Sequence, residues 1–393
     1  MSDGPLRGSV VLELGNLIAA PYATMLLADL GARVIKVEPL DGDLSRGFGP
    51  FQEGESLFFM AANRGKESVA IDPKDWRAKR VLDSLVRKAD AVVNNLRHGA
   101  MDRMGLGPDR CRALNPTLIY ATVNAFGATG PYAERAGVDV VFQGESGMIS
   151  ITGSPDDPPQ KTATTIGDYV AGTNTALAVA AALAEKPRRW RRIDISLRDG
   201  LMAVQAGWNA LAFATGDQPE RTGTASPFLA PNQVFEAADG HFTLAIVADR
   251  HFAILCDTIG RPDLAGAYPT NEDRMAHRDR LVADLHSVFR TAGVDHWLGL
   301  LQDAGLPAGR VLTIPEAFSD PQAVHNGMLV EYDHPVAGKV KATGSPIQVD
   351  HHPARSAGPP PVLGQHTRQV LLEAGLDEGS VEKMIEEGKA VAP

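Results

Sequence analysis

Three strings near the amino terminus constrain the fold most: "SVVLELG" at 9–15, "APYATMLLADLG" at 20–31 and "RVIKVEP" at 33–39. The outer two are apolar runs of strand length, and the longer middle one, closed by Gly31, reads as a helix. Strand, helix and strand in so short a stretch make a βαβ unit, hence parallel strands joined by a right-handed crossover. The pattern continues with "SVAID" at 68–72, "DWRAKRVLDSLVRKA" at 75–89, "DAVVNNL" at 90–96 and, after another helical stretch, "LIYATVNAF" at 118–126. A Rossmann-like α/β domain follows. It is not a dinucleotide site: the first turn reads "GNLIAAP" and lacks the G-x-G-x-x-G glycines that let a backbone cradle a pyrophosphate. Glu38, at the end of the second strand, resembles the ribose-binding acid only superficially.

At 393 residues the chain has room for two or three domains. "RRIDISLRDGLM" at 191–202 reads as a strand entering a helix, and composition shifts to polar, Pro and Gly from about 216 to 232. "VFEAADGHFTLAIV" reads as a hairpin turning at Asp239 and Gly240, followed by helices at 249–260, 275–292 and 294–304. Two strands around a Gly turn are expected from 330 to 350, an extended Pro-rich linker at 351–364 and a helix at 366–374. The expected domains are therefore 1–220, 221–329 and 330–393.

A net charge of −10 argues against a nucleic-acid binder, which needs clustered Lys and Arg to neutralise phosphates. The one dense basic run, "KPRRWRR" at 186–192, is read as a solvated connection. Cys111 and Cys256 lie too far apart in sequence for a CxxC site or disulfide framework. His98, His251, His325, His334, His351, His352 and His366 show no metal-binding spacing. The first residues lack the layout of a signal peptide, and no apolar run reaches the roughly 18 residues of a membrane span, so a cytoplasmic protein is expected.

One acid stands out. In "TTIGDYVAGTNTALAVAAALAE" at 164–185, Asp168 precedes a long apolar helix. An Asp there is a favoured N-cap, its carboxylate accepting the first turn's N–H groups.

The motifs "LADLGARVIKVEP", "DLSRG", "SLFFMAANRGKESVAID", "NNLRHGAMDRMGL", "LNPTLIYATVNAFGATGP", the "GD" at 167–168, "IDISLRDGL", "AGLPAGRV" and "VLGQHTRQVLLEAGL" occur in register along nearly the whole chain. Together they resemble the class III CoA-transferase family, which includes the formyl-CoA and carnitine CoA-transferases and the α-methylacyl-CoA racemases. The resemblance implies a large Rossmann-like domain built from both termini, a smaller inserted α/β domain and an interlocked, ring-like homodimer. It implies acyl-CoA and a small carboxylic acid as substrates, with no tightly bound cofactor. It makes Asp168 the nucleophile, with Gly167 letting the thioester approach the backbone. With an ordinary pKa of about 3.9, Asp168 is expected to be ionised at pH 7 without a general base.

Asp139 matches an acidic position near the family's active site; its other reading is a second helix cap. Lys66, Asn95, Arg97 and Arg103 match or adjoin CoA-binding segments, and Leu17 and Ile18 match a loop over the thioester region. Ile18 stands where formyl-CoA transferases carry Gln, Phe58 stands where they carry Tyr, and their glycine-rich loop is missing between 220 and 260. Oxalate is therefore not the expected acceptor. The alternatives are a racemase and a non-catalytic acyl-CoA-binding protein. Racemases of the family carry His in an "AG-His-D" segment, and here Val138 takes its place, while the retained Gly167 and Asp168 argue for catalysis.

Overall fold

The computed structural model describes residues 4–354 and 358–393. The chain divides into two compact units, one of residues 4–148, 162–210, 318–354 and 358–393, the other of residues 149–161 and 211–317. The smaller unit is thus shifted from the expected 221–329, and it also takes residues 149–161 from the expected amino-terminal domain. Of the Pro-rich linker anticipated at 351–364, residues 355–357 lie outside the described residues.

The larger unit is built on Val10–Leu14 (β1), Ala19–Asp29 (α1), Arg33–Glu38 (β2), Lys66–Ile71 (β3), Trp76–Lys88 (α2), Ala91–Asn94 (β4), Ile119–Asn124 (β5), Asp139–Glu145 (α3), Ile166–Ala184 (α4) and Arg191–Ser196 (β6). The strands lie in the order β3-β2-β1-β4-β5-β6, all parallel, and Ala390–Val391 adds an antiparallel edge beside β3. Alternation along the strands divides the core between the two faces of the sheet. Leu12, Ile35, Val69 and Val92 pack with α2 and the carboxyl-terminal residues Val370, Leu371, Val381 and Met384. Val11, Val34, Val93 and Ala121 pack under α1 and α4. The carboxyl terminus therefore completes the first sheet.

Helices α1 and α4 approach closely because Gly172 has no side chain: a Cβ there would stand 2.8 Å from the Ala19 carbonyl oxygen. Ala19 shares a cluster with Ala171, and Ala23 one with Ala176 and Val179, so the two helices run in the same direction. The basic run is neutralised locally, Arg188 pairing with Asp90, Arg189 and Arg191 with Glu185, and Arg192 with Asp194.

In the smaller unit Asn232–Ala237 and Gly240–Ala245 form a hairpin extended by Ala308–Arg310. Gly240 pairs with Ala237, so the turn is Ala238–Asp239, one residue earlier than expected. The Asp239 carboxylate then accepts the Val294 N–H at 2.7 Å. Phe235, Phe242, Phe252, Phe289 and Trp297 form its core. Among the described residues no helix is long and apolar enough to cross a membrane, and no cluster of His, Cys, Asp and Glu could hold a metal ion. Both cysteines are free and buried.

Candidate active site

In a sheet ordered 3-2-1-4-5-6 the chain leaves the centre in opposite directions from β1 and β4, opening a crevice at their carboxyl ends. The residues that follow these strands are tied together there. Asn95 Oδ1 accepts the Asn16 N–H and Asn95 Nδ2 donates to the Asn16 carbonyl, each at 2.9 Å. Leu17 comes next with φ +63°, a conformation that disfavours a side chain, and its N–H is accepted by Asp43 Oδ1 at 3.0 Å. Ile18 is buried at the start of α1. A mostly apolar pocket opens beside this turn, lined by Leu14, Val37, Pro39, Ile71, Leu96 and Met104.

Because α1 and α4 run in parallel, their amino ends lie side by side, with Tyr22 and Tyr169 in edge-to-face contact at 4.9 Å. The Leu17–Ile18 turn and Asp168 therefore share one end of the helix pair. Asp168 is not the N-cap. Thr165 holds that position without a side-chain hydrogen bond, and Asp168 falls within the first turn. The capping acceptor is Asp139, whose Oδ1 accepts the Gly167 N–H at 2.8 Å from a different helix. Asp139 thus caps α4, although it begins α3. Its Oδ2 accepts from Gln143 Nε2 at 2.5 Å, and Gln143 Oε1 in turn accepts the Thr162 N–H at 2.9 Å, stitching the approach to α4 in place.

Gly167 is required by this arrangement, since a Cβ would lie 2.9 Å from Asp139 Oδ1 and 3.2 Å from Leu201 Cδ1. The Asp168 carboxylate has no hydrogen-bond donor among the described residues. Burial first, and the negative charge of Asp139 second, push it up to about 7. The expectation of full ionisation at pH 7 does not hold for the free protein.

The predicted CoA contacts separate into two kinds. Arg97 and Arg103 are exposed, and neither guanidinium has a hydrogen-bond partner among the described residues. Arg97 and His98 line a polar pocket with Asn94, Thr122, Asn124 and Arg192. Arg103 lies against Gly99, whose φ of +72° opens the short helix Ala100–Arg103. Lys66 behaves otherwise. Its side chain has no exposed surface; it pairs with Glu13 at 2.8 Å and donates to the Pro21 carbonyl and Asn63 Oδ1. Burial pulls its ammonium down to about 8. The Lys66 ammonium is thus fully engaged within the protein. Asn95 is likewise engaged by the backbone of Asn16.

Sequence reasoning missed the group that holds this edge: Glu13, Lys36 and Asp43, fully buried side chains with Lys36 Nζ 2.7 Å from Glu13 and 2.7 Å from Asp43. The signal was present, because Glu13 and Lys36 are opposite charges at interior positions of two parallel strands, where an unpaired charge is untenable. Register places them side by side. Phe58, in the position noted as Tyr in formyl-CoA transferases, meets Phe48 edge to face at 5.8 Å.

A family model described as CoA-transferase family III matches residues 6–367. The chain belongs to that family. As a family III CoA-transferase it is an enzyme whose substrate is an acyl-CoA. It is 35% identical over 388 residues to the mouse succinyl-CoA:glutarate CoA-transferase, covering 97% of this chain and 89% of the relative. It is 37% identical over 352 residues to the acetyl-CoA:oxalate CoA-transferase of Acetobacter aceti, covering 88% and 89%. Among solved structures, a CAIB/BAIF family protein from Brucella suis superposes with a TM-score of 0.84 at 34% identity, over 95% of this chain and 100% of that one. The mixed α/β fold with its mainly parallel sheet is the one these family III proteins share.

Proposed function

We propose that this enzyme moves CoA from an acyl-CoA to a small free carboxylic acid through a covalent intermediate on Asp168. The observation that carries the reading is the placement of Asp168: half-buried, without a hydrogen-bond donor and beside the turn that follows β1. A carboxylate stripped of water is more basic and more nucleophilic than an exposed one, and its ionised fraction near neutrality suffices for attack.

The Asp168 carboxylate attacks the thioester carbonyl, the C–S bond breaks, and CoA leaves as thiolate from an acyl-aspartyl anhydride. The thiolate then attacks the aspartyl carbonyl and releases the donor acid as its carboxylate, leaving an aspartyl-CoA thioester. An acceptor carboxylate reverses the two steps and departs as the new acyl-CoA. No redox change occurs and no net proton is consumed. We assign the CoA phosphates to Arg97 and Arg103, exposed cations at the crevice edge, and the mostly apolar pocket at Leu14, Ile71, Leu96 and Met104 to the base. Lys66 is left out of that set.

For the acceptor we propose a small dicarboxylic acid. Support comes from relatives named for glutarate and oxalate. The second of these returns oxalate to the substrate panel despite Ile18 and Phe58. The active form is proposed to be a homodimer of interlocked chains, as the family resemblance implies. Leu177 on α4 and Met202 and Val204 on Leu197–Val204 are large apolar side chains left exposed in the single chain, consistent with a covered surface. A panel of acyl-CoAs against free acids, read by mass spectrometry, should reveal CoA transfer. Asp168→Ala should lose at least about a thousandfold in rate, roughly 4 kcal/mol of barrier; turnover at the parent rate would rule out this mechanism.

A further inference from the structure

Glu13, Lys36 and Lys66 lie on the sheet face under α1, whose other end is apolar. Val11 and Val34 occupy equivalent positions two residues earlier in β1 and β2, and they pack as ordinary core. Glu13, Lys36, Lys66 and Asp43 are fully buried, two negative and two positive, and removing four charges from water for packing alone has no advantage over apolar side chains. What distinguishes their position is the departure of the chain from β1 into the turn at 15–18.

That turn is held at three successive residues. Lys36 Nζ donates to the Gly15 carbonyl at 2.9 Å, Asn95 holds both backbone groups of Asn16, and Asp43 Oδ1 accepts the Leu17 N–H. Asp43 is itself fixed: its Oδ1 also accepts the Ser45 N–H at 2.8 Å and the Ser45 hydroxyl at 2.7 Å, and Oδ2 pairs with Lys36. The Asp43 N–H donates to Glu38, which is clamped by Arg46. Leu17, a branched residue at φ +63°, relaxes to negative φ unless its surroundings prevent it.

We propose that Asp43, backed by Lys36 and Glu13, is a positioning residue for acyl transfer, holding Leu17, in the Asn16–Leu17–Ile18 turn, in left-handed geometry at the Asp168 end of the α1–α4 pair. The proposal rests on the Asp168 reading above. The buried charges then keep rigid a backbone segment that lies beside the reacting carboxylate and would otherwise have two conformations. A loosened turn misplaces the thioester once it is bound, so the loss falls on kcat more than on acyl-CoA binding.

The test uses the full-length enzyme and the acyl-CoA and acid that the parent turns over fastest. Asp43→Ala, which removes the acceptor of the Leu17 N–H where Asp43→Asn would keep one, should lower kcat at least tenfold and leave the acyl-CoA KM within about threefold. Adding Leu17→Gly should recover at least threefold of that loss, because glycine holds a positive φ without an anchor. A role in charge balance alone would not be rescued in this way. Should Asp43→Ala fail to fold, Asp43→Ala with Lys36→Met leaves Glu13 and Lys66 as a balanced pair, and the same kcat loss and rescue are expected there. Parent-level kcat in either folded variant, a loss confined to KM, or no recovery with Leu17→Gly would overturn the proposal. Asp168→Ala is measured alongside. If it retains transfer, the underlying reading falls and this proposal with it; if it is inactive while the Asp43 variants match the parent, only the positioning role is wrong.

Discussion

Asp168 and Asp139 form an unequal pair of carboxylates. Asp139 is committed to the Gly167 N–H and to Gln143, whereas Asp168 has only a repulsive neighbour and a partly dry surround. Its folded pKa of about 7 lies above the ordinary value, so ionisation, and with it attack, is lost as the pH falls below 7. The acid limb of kcat/KM in the free enzyme is therefore expected near pH 7, with about a tenfold fall per unit below it. Asp139→Asn removes the repulsion but leaves burial, the larger cause, so the limb should move to lower pH without reaching that of an exposed Asp. A pH profile unchanged by Asp139→Asn would show that the neighbouring charge does not act on Asp168. The sequence placed Asp168 at the start of the helix but not its titration, because both causes of the shift, burial and the Asp139 charge 29 positions earlier, arise only in the fold.

The close packing of α1 and α4 sets the distance between the two halves of the site. Gly172→Ala would drive a Cβ to 2.8 Å from the Ala19 carbonyl oxygen and 3.0 Å from Tyr22, and a backbone carbonyl cannot rotate away as a side chain can. The expected cost is about 1–3 kcal/mol of stability, read as a lower Tm, together with reduced turnover as the ends bearing Leu17 and Asp168 are pushed apart; parent-like Tm and rate would mean the helices are free to separate. The strands and helices of the larger unit were legible because each is one continuous run whose periodicity matches its burial. "RVIKVEP" and "DAVVNNL" could hardly be anything else. The partners of charged residues were not legible: the family resemblance alone implies Lys66 in "NRGKESV" as a CoA contact, and only its three-dimensional neighbour Glu13 reveals the ammonium as buried and paired. The same limit applies to Asp168, which resembles an N-cap in sequence yet leaves the capping to Asp139.

At the scale of the molecule, the return of the carboxyl terminus to the sheet was implied by the family resemblance, and it is made by Ala390–Val391, since the strands expected at 330–350 pair only with each other; the division of the chain was not legible. Residues 149–161 join the smaller unit through contacts such as Arg221 with the carbonyls of Ser154, Pro155 and Asp157, pairings far apart in sequence and without local pattern. The proposed homodimer should appear in light scattering as twice the 41.8 kDa chain mass, including at the low concentrations of an assay; a monomer at full activity would exclude it. The covalent bond to Asp168 is the step most directly open to measurement. Enzyme mixed with its acyl-CoA substrate, trapped with hydroxylamine and digested, should carry a hydroxamate on the peptide containing Asp168, visible by mass spectrometry and absent in Asp168→Ala. A turning-over enzyme whose Asp168 peptide stays unmodified under trapping, or whose modification maps to another residue, would contradict the account.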